Sequence, residues 1–142
     1  QVDVDTDTGN VKVSLYVAAH DSGTIINRNG ALNQVEGGVS QMLGLTILEE
    51  LVVDTASGVT LNGSYLEHRC PTIAEYPPIN VVFIENPDPL GPFGAKALGE
   101  VPSVPVAAAV VNAIQDAIGI RFAEVPVTPD KVLNALNKMG VK

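Results

Sequence analysis

From Val104 to Ile118 the chain reads VPVAAAVVNAIQDAI, helical in length and almost wholly apolar. A helix that is apolar around most of its circumference is stable only when other elements cover it. The rest of the chain must therefore supply packing layers around this segment. Pro105 falls in the first turn, where its missing N–H costs nothing. Ser103 is the candidate N-cap and Gly119 the stop. The segment that feeds this buried helix is GPFGAKALGEVPS, Gly91–Ser103, a glycine loop with one lysine and one glutamate.

Apolar residues make up 46% of the 142, enough to build the core of one domain. A chain of this size buries roughly two thirds of its unfolded surface. The net charge of −8 argues against nucleic acid, where a basic face supplies most of the affinity. It argues equally against an anionic membrane surface. No apolar run approaches the ~20 residues of a membrane span, and the opening QVDVDTDTGN lacks the basic-then-apolar pattern of a signal peptide. Cys70 is the lone cysteine, so an internal disulfide and a cysteine-built zinc or iron–sulfur site are excluded. It reads as a packed small hydrophobe. A single thiol fits a reducing, cytoplasmic compartment.

Val2 and Val4, then Val11, Val13, Leu15 and Val17, alternate on either side of Thr8-Gly9-Asn10, which predicts a β-hairpin over Val2–Val17. His20–Gly30 is polar and glycine-rich and reads as a loop. Val35, Val39, Met42, Leu43, Thr46, Ile47 and Leu51 recur at three and four, predicting a helix over Gln34–Glu50. Asn33 and Glu36 stand in capping-box register for it. Gly37, Gly38 and Gly44 inside that helix each cost about 1 kcal/mol against Ala, and imply a close approach to the backbone. Val52–Asp54 and Val59–Leu61 predict a second hairpin, and Cys70–Pro78 an extended, proline-bound stretch. Ile79–Glu85 reads as a buried strand. Thr128, Pro129, Asp130 and Gly140 frame a last helix over Pro129–Lys138, with Val132, Leu133, Leu136 and Met139 on its apolar face. Strands and helices mix without strict alternation, so the fold class is α+β, one domain over residues 1–142.

A glycine loop ahead of a helix exposes backbone N–H groups and admits close approach by an anion or a flat ligand. No Gly-Lys-Ser/Thr follows the glycines, which excludes a P-loop. The Gly-x-Gly start of a dinucleotide fingerprint is absent. Glu100 beside an apolar helix entry is expected to be partly desolvated, a setting that turns a carboxylate into a useful base. The other reading is a glutamate that complements the helix dipole. His20 and His68 read as surface or satisfied core residues.

GPFGAKALGE resembles the catalytic loop of the molybdenum hydroxylases, the xanthine dehydrogenase and aldehyde oxidase family. HDSGTIINRNGALNQVEGG and NQVEGGVSQMLGLTILEE resemble that family's aspartate–glycine loop and its glutamine-bearing helix start, in the same order. VPVAAAVVNAIQDAIGI and TPDKVLNAL resemble the end of those chains, so the likeness covers nearly all of the sequence. There are departures. His68 stands where the family commonly has an aromatic, and Val101 where a proline is common.

The resemblance implies a C-terminal lobe of a molybdopterin-binding catalytic subunit, either a fragment or a split subunit, inactive alone. It implies a molybdenum–pterin cofactor completed by upstream loops and held without protein ligands to the metal. Iron–sulfur clusters and FAD would sit only on other subunits or domains. The matched Glu100 is then the general base in hydroxylation of a heterocycle or an aldehyde, with water as oxygen source. Gln34 lies against the pterin, and the backbone of Lys96, Ala97, Leu98 and Gly99 packs beside the metal centre. Implied partners are the rest of the molybdenum subunit, iron–sulfur and flavin subunits, and a small-molecule substrate, with neither nucleic acid nor membrane. The contrasting expectation is a non-catalytic lobe that binds a partner without turnover. The intact Gly99-Glu100 pair and Gln34 favour catalysis.

Overall fold

The computed structural model describes residues 1–140. In chain order the elements are β1 (Val2–Val4), β2 (Val11–Val13), β3 (Tyr16–Asp21), α1 (Arg28–Ile47), β4 (Ile79–Ile84), α2 (Val106–Ile118) and α3 (Pro129–Met139). A 3-10 turn covers Pro92–Gly94. β1 and β2 form an antiparallel hairpin, Val2 opposite Val13 and Val4 opposite Val11. β3 and β4 pair in parallel, from Tyr16 opposite Ile79 to Asp21 opposite Ile84. Small sheets packed with helices make the fold α+β, as expected.

The expected strand through Leu15 and Val17 does not form. Ser14 and Leu15 both donate backbone N–H groups to the Gln1 carbonyl, at 3.0 and 3.5 Å. Two residues facing one acceptor slip the pleat by a residue, as a bulge does. β3 therefore resumes out of phase. Tyr16, Ala18 and His20 face inward, and Val17 faces out. β3 runs on to Asp21 and α1 begins at Arg28, so the loop expected over His20–Gly30 is shorter at both ends.

α1 also starts six residues before the expected Gln34. Asn27, extended at the N-cap, accepts a hydrogen bond from the Gly30 N–H at 3.0 Å through Oδ1. Asn33 lies inside the helix and caps nothing. Both asparagines precede helical periodicity, and only the chain's exit from β3 decides between them. The helix ends at Ile47, leaving Glu49 and Glu50 beyond it and Leu51 exposed.

Val35, Val39 and Leu43 form one buried row on α1, and Val106, Val110 and Ile114 the matching row on α2. Spacing of four on both helices lets these rows interlock. Val132 and Leu136 of α3, Val11 and Val13 of β2, and Tyr16 and Ala18 of β3 complete the core. Thr46, the buried polar residue of α1, is satisfied locally. Its Oγ1 donates to the Met42 carbonyl at 2.5 Å, and its own carbonyl accepts from Val127 N–H at 2.7 Å.

α2 is buried on one face only: Ala108 and Ala109 are exposed despite the all-apolar sequence. It starts at Val106, with Pro105 as N-cap residue, and Ser103 does not cap it. Gly119 and Gly140 close α2 and α3 in the left-handed conformation, as expected of C′ glycines. α3 buries Val132 and Leu136 but leaves Met139 exposed. β4 alternates between half-buried and exposed, so the expected buried strand has an open face at Val82 and Ile84. Val53 and Thr60 form a single antiparallel bridge, the remnant of the second hairpin. Cys70 is exposed, contrary to its expected packing, because Cys70–Pro78 crosses the surface without joining a layer.

Ile114 is fully buried at the α1–α2 contact. Ile114→Ala removes that packing and leaves a cavity. It should lower the unfolding free energy by about 2–5 kcal/mol in urea denaturation, and a loss below ~1 kcal/mol would contradict the core described.

Candidate functional site

The glycine loop is threaded along the end of β3. Gly23 and Ala95 form an antiparallel bridge. Thr24 N–H donates to the Gly94 carbonyl at 3.0 Å, and Lys96 N–H to the Ser22 carbonyl at 2.9 Å. Gly23 sits at φ 63, and a Cβ there would lie 2.2 Å from the Gly94 oxygen. Only glycine permits that approach. The Lys96 ammonium reaches Asp21 Oδ2 at 2.7 Å, while Asp21 Oδ1 accepts from Gly23 N–H at 3.1 Å. The Lys96 hydrogen bond, followed by the one from Gly23, holds the Asp21 carboxyl below its ordinary range.

Beyond Lys96 the loop alternates. Ala97 is exposed, and Leu98 is half-buried against the core. Gly99 comes beside α1, where a Cβ on it would lie 3.9 Å from Gln34 Oε1. The next residues close a turn: Ser103 donates to the Glu100 carbonyl from its N–H at 3.1 Å and its Oγ at 2.7 Å. Pro102 in this turn is fully buried. It lies on α1 at Gly38, where a Cβ would meet Pro102 Cβ at 3.2 Å and Ser103 N at 3.3 Å.

The tertiary structure thus brings Gln34, Gly38 and the Gly99–Ser103 turn together on one side of α1. The glycines expected to mark close approach divide into two kinds. Gly38 and Gly44 have near neighbours, Pro102 and the Glu49–Pro71 region respectively. Among the described residues, nothing lies within 4 Å of a would-be Cβ on Gly37.

Glu100 is exposed, so the expected partial desolvation is not supplied by these residues. The turn is anchored on α1 by Pro102, which is buried there, while Glu100 two residues earlier is left exposed. The dipole reading fares no better. Glu100 precedes the N-cap Pro105 by a turn of chain, and the first turn of α2 holds no acidic residue. Phe93, 87% exposed at φ 54, and Val104, 77% exposed, flank the loop with bare apolar surface.

Other candidates lie elsewhere. A cavity of about 690 Å³ opens at the far end of α1 between Leu43, Ile47, His68, Arg69 and Tyr76, and neither Gln34 nor Glu100 lines it. A shallower depression of about 160 Å³ adjoins the loop at Ser22, Thr24, Ala31, Lys96 and Leu98. His20 is buried in β3, and burial pushes its imidazole below the ordinary value. It is a core histidine, one of the two alternatives open from sequence. Among the described residues no cluster of three His, Cys, Asp or Glu side chains could hold a metal ion. No described helix is long and apolar enough to cross a membrane. Sequence reasoning missed Asp21 as the partner of Lys96. An Asp two residues before a glycine was a faint signal, with no spacing to link it to a lysine far along the chain.

The chain is 35% identical over 142 residues to the xanthine dehydrogenase molybdenum-binding subunit of Escherichia coli O157:H7, covering 99% of this chain and 19% of that one. It is 36% identical over 137 residues to the nicotine 6-hydroxylase large subunit of Paenarthrobacter nicotinovorans, covering 94% of this chain and 17% of that one. The fold superposes on quinoline 2-oxidoreductase from Pseudomonas putida 86 with a TM-score of 0.90 at 31% identity, over 96% of this chain and 18% of that one. The chain thus spans about a fifth of the length of the relatives it matches. Residues 1–77 match the model of the molybdopterin cofactor-binding domain. On that match, with a likeness that runs on through the glycine loop to the last helix, the chain belongs to the molybdopterin cofactor-binding domain family.

Proposed function

We propose that these residues are one lobe of a molybdenum hydroxylase, with Glu100 as its general base. Gln34 and the backbone of Lys96, Ala97, Leu98 and Gly99 form its share of the pterin site. The observation that carries this reading is the meeting of Gln34 with Gly99, directly before Glu100. Two segments far apart in sequence, the start of α1 and the end of the glycine loop, meet there, and Glu100 is the next residue of that loop.

The residues present fit a molybdenum–pterin cofactor. Gln34 is exposed, and its amide offers both a donor and an acceptor to the polar edge of a pterin. Gly37, one turn on, presents helix backbone with open space above it. Such a face admits a planar group closely. When bound, the cofactor supplies the two-electron oxidation that joins a water oxygen to a substrate carbon. The balance is RH + H2O → ROH + 2 electrons + 2 protons. Glu100 takes up one of those protons at its carboxylate. The electrons leave toward iron–sulfur clusters and FAD on other subunits or domains.

The exposure of Glu100 fits a lobe that functions only when covered. Phe93 and Val104, on either side of Lys96 and Glu100 in sequence, leave large apolar side chains exposed, available to a covering partner. The rest of the molybdenum subunit is that partner. Removing water from a carboxylate strengthens it as a base, so the covering partner supplies the environment this lobe lacks. The substrate class is a heterocycle or an aldehyde. Relatives named for xanthine, nicotine and aldehydes share this region at similar identity.

In the full-length enzyme, Glu100→Gln keeps the shape and removes the base. It should lower kcat by about 10²–10⁴, with kcat/KM falling in parallel and molybdenum content unchanged. Wild-type turnover in that variant would end the assignment. Gly37→Leu tests the cofactor face separately. Leucine is the better helix former by up to about 1 kcal/mol, and its Cβ meets nothing in this lobe. The melting point should hold or rise while the molybdenum content of the purified enzyme falls. Full molybdenum loading would show that the pterin does not lie there.

A further inference from the structure

We propose that the Asp21–Lys96 ion pair is a clasp that sets the position of Glu100, so that both are positioning residues for the reaction; the proposal rests on the reading of Glu100 as the base. Up to Lys96 the loop is tied to the end of β3 by the Thr24–Gly94 and Lys96–Ser22 hydrogen bonds. Among the described residues, the Lys96–Ser22 bond is the last main-chain hydrogen bond before the Glu100–Ser103 turn. From Lys96 to Glu100 the path therefore depends on where Lys96 is fixed at one end, on the half-buried Leu98, and on Pro102 seated on α1 just beyond Glu100.

Lys96 is fixed twice. Its N–H is bound by Ser22 and its ammonium by Asp21, at 2.9 and 2.7 Å. The same Asp21 carboxylate uses its other oxygen to hold Gly23 N–H, at 3.1 Å. One side chain thus locks both the β3 turn and the loop that crosses it. The pair stays accessible to solvent, 27% for Lys96 and 37% for Asp21, and the Gly23 and Ser22 hydrogen bonds beside it fix its geometry.

The pairing also commits a charge. Lys96 lies four residues from Glu100, and an unpaired ammonium there could swing to the Glu100 carboxylate and compete for it. Asp21 holds it instead at the β3 end. The clasp therefore does two things. It fixes the loop register, and it keeps the one cation of GPFGAKALGE away from the base. A general base depends steeply on placement, since a displacement of about 1 Å can cost around 10²-fold in rate.

The test uses the full-length holoenzyme carrying Lys96→Met, Asp21→Asn, the double substitution, Lys96→Arg and Glu100→Gln. Turnover is expressed per bound molybdenum. Lys96→Met and Asp21→Asn should each lower kcat by roughly 10- to 100-fold, with KM within about twofold. The double variant should be no worse than the poorer single one, because the two residues act as one unit. Lys96→Arg retains the pair and should keep most of the activity. The backbone amides of Thr24 and Lys96 should exchange hydrogen faster in both single variants, a readout independent of turnover. A merely structural role would lower molybdenum content and melting point while leaving kcat per molybdenum intact, and that result overturns the proposal. So does a double variant whose loss is the product of the single losses. If Glu100→Gln is inactive while Lys96→Met and Asp21→Asn turn over normally, the clasp fails and the base stands. If Glu100→Gln is itself active, the base reading fails and the proposal falls with it.

Discussion

The interlocking of α1 with α2 is the contact on which the rest of the molecule depends. Val35, Val39 and Leu43 meet Val106, Val110 and Ile114, all almost completely withdrawn from water. Burial of this kind contributes about 25 cal/mol per Å² of apolar surface, and it is non-directional. The direction comes from the shared spacing of four residues, which sets how one helix can lie on the other. Once α2 is laid against α1, the segment before α2 has little freedom. It must pass over α1 at Gly38, and Pro102 is buried there because no Cβ stands in the way.

From that crossing the site follows. Gln34 lies one turn before Gly38 on α1, so the turn seated on Gly38 brings Gly99 to Gln34 and leaves Glu100 beside them. The other end of the loop is tied to β3, whose parallel partner β4 delivers the chain to the same edge. The loop is therefore stretched between a sheet end and a helix face. Backbone hydrogen bonds hold its first half, and packing of Leu98 and Pro102 holds its second. Residues on a loop held between two rigid anchors keep a defined place without being buried themselves.

The distribution of apolar surface has a physical meaning of its own. α2 is apolar on nearly all sides yet covered on one, and the outward face of β4 exposes Val82 and Ile84. A sequence does not carry such residues into water without cost. The chain matches about a fifth of the length of its relatives, and exposed apolar faces of this kind are the sort that contact surfaces carry. Glu100, by contrast, is exposed, so these residues fix where its backbone lies and supply no desolvation of its side chain.

Local chemistry made several features legible from sequence. Gly119 and Gly140 end their helices because a left-handed residue without Cβ is needed there, and Thr128-Pro129 opens α3 because the missing N–H is tolerated at that position. The buried rows of α1 and α2 were readable as apolar spacing. The motif GAKALGE, with Gln34 upstream, carried the family resemblance. Other features needed the tertiary structure. The phase slip at Ser14–Leu15 arises from one carbonyl, that of Gln1, accepting from both residues. The choice of Asn27 over Asn33 as cap depends on where β3 releases the chain. Parallel pairing of β3 with β4, the pairing of Asp21 with Lys96 and the approach of Gln34 to Gly99 all join residues tens of positions apart. Sequence by itself determined which segments turn, cap and bury, since those choices are settled within a few residues of backbone. Only the tertiary structure decided which segments meet, because nothing in the spacing of one strand or loop encodes the partner that packing brings to it.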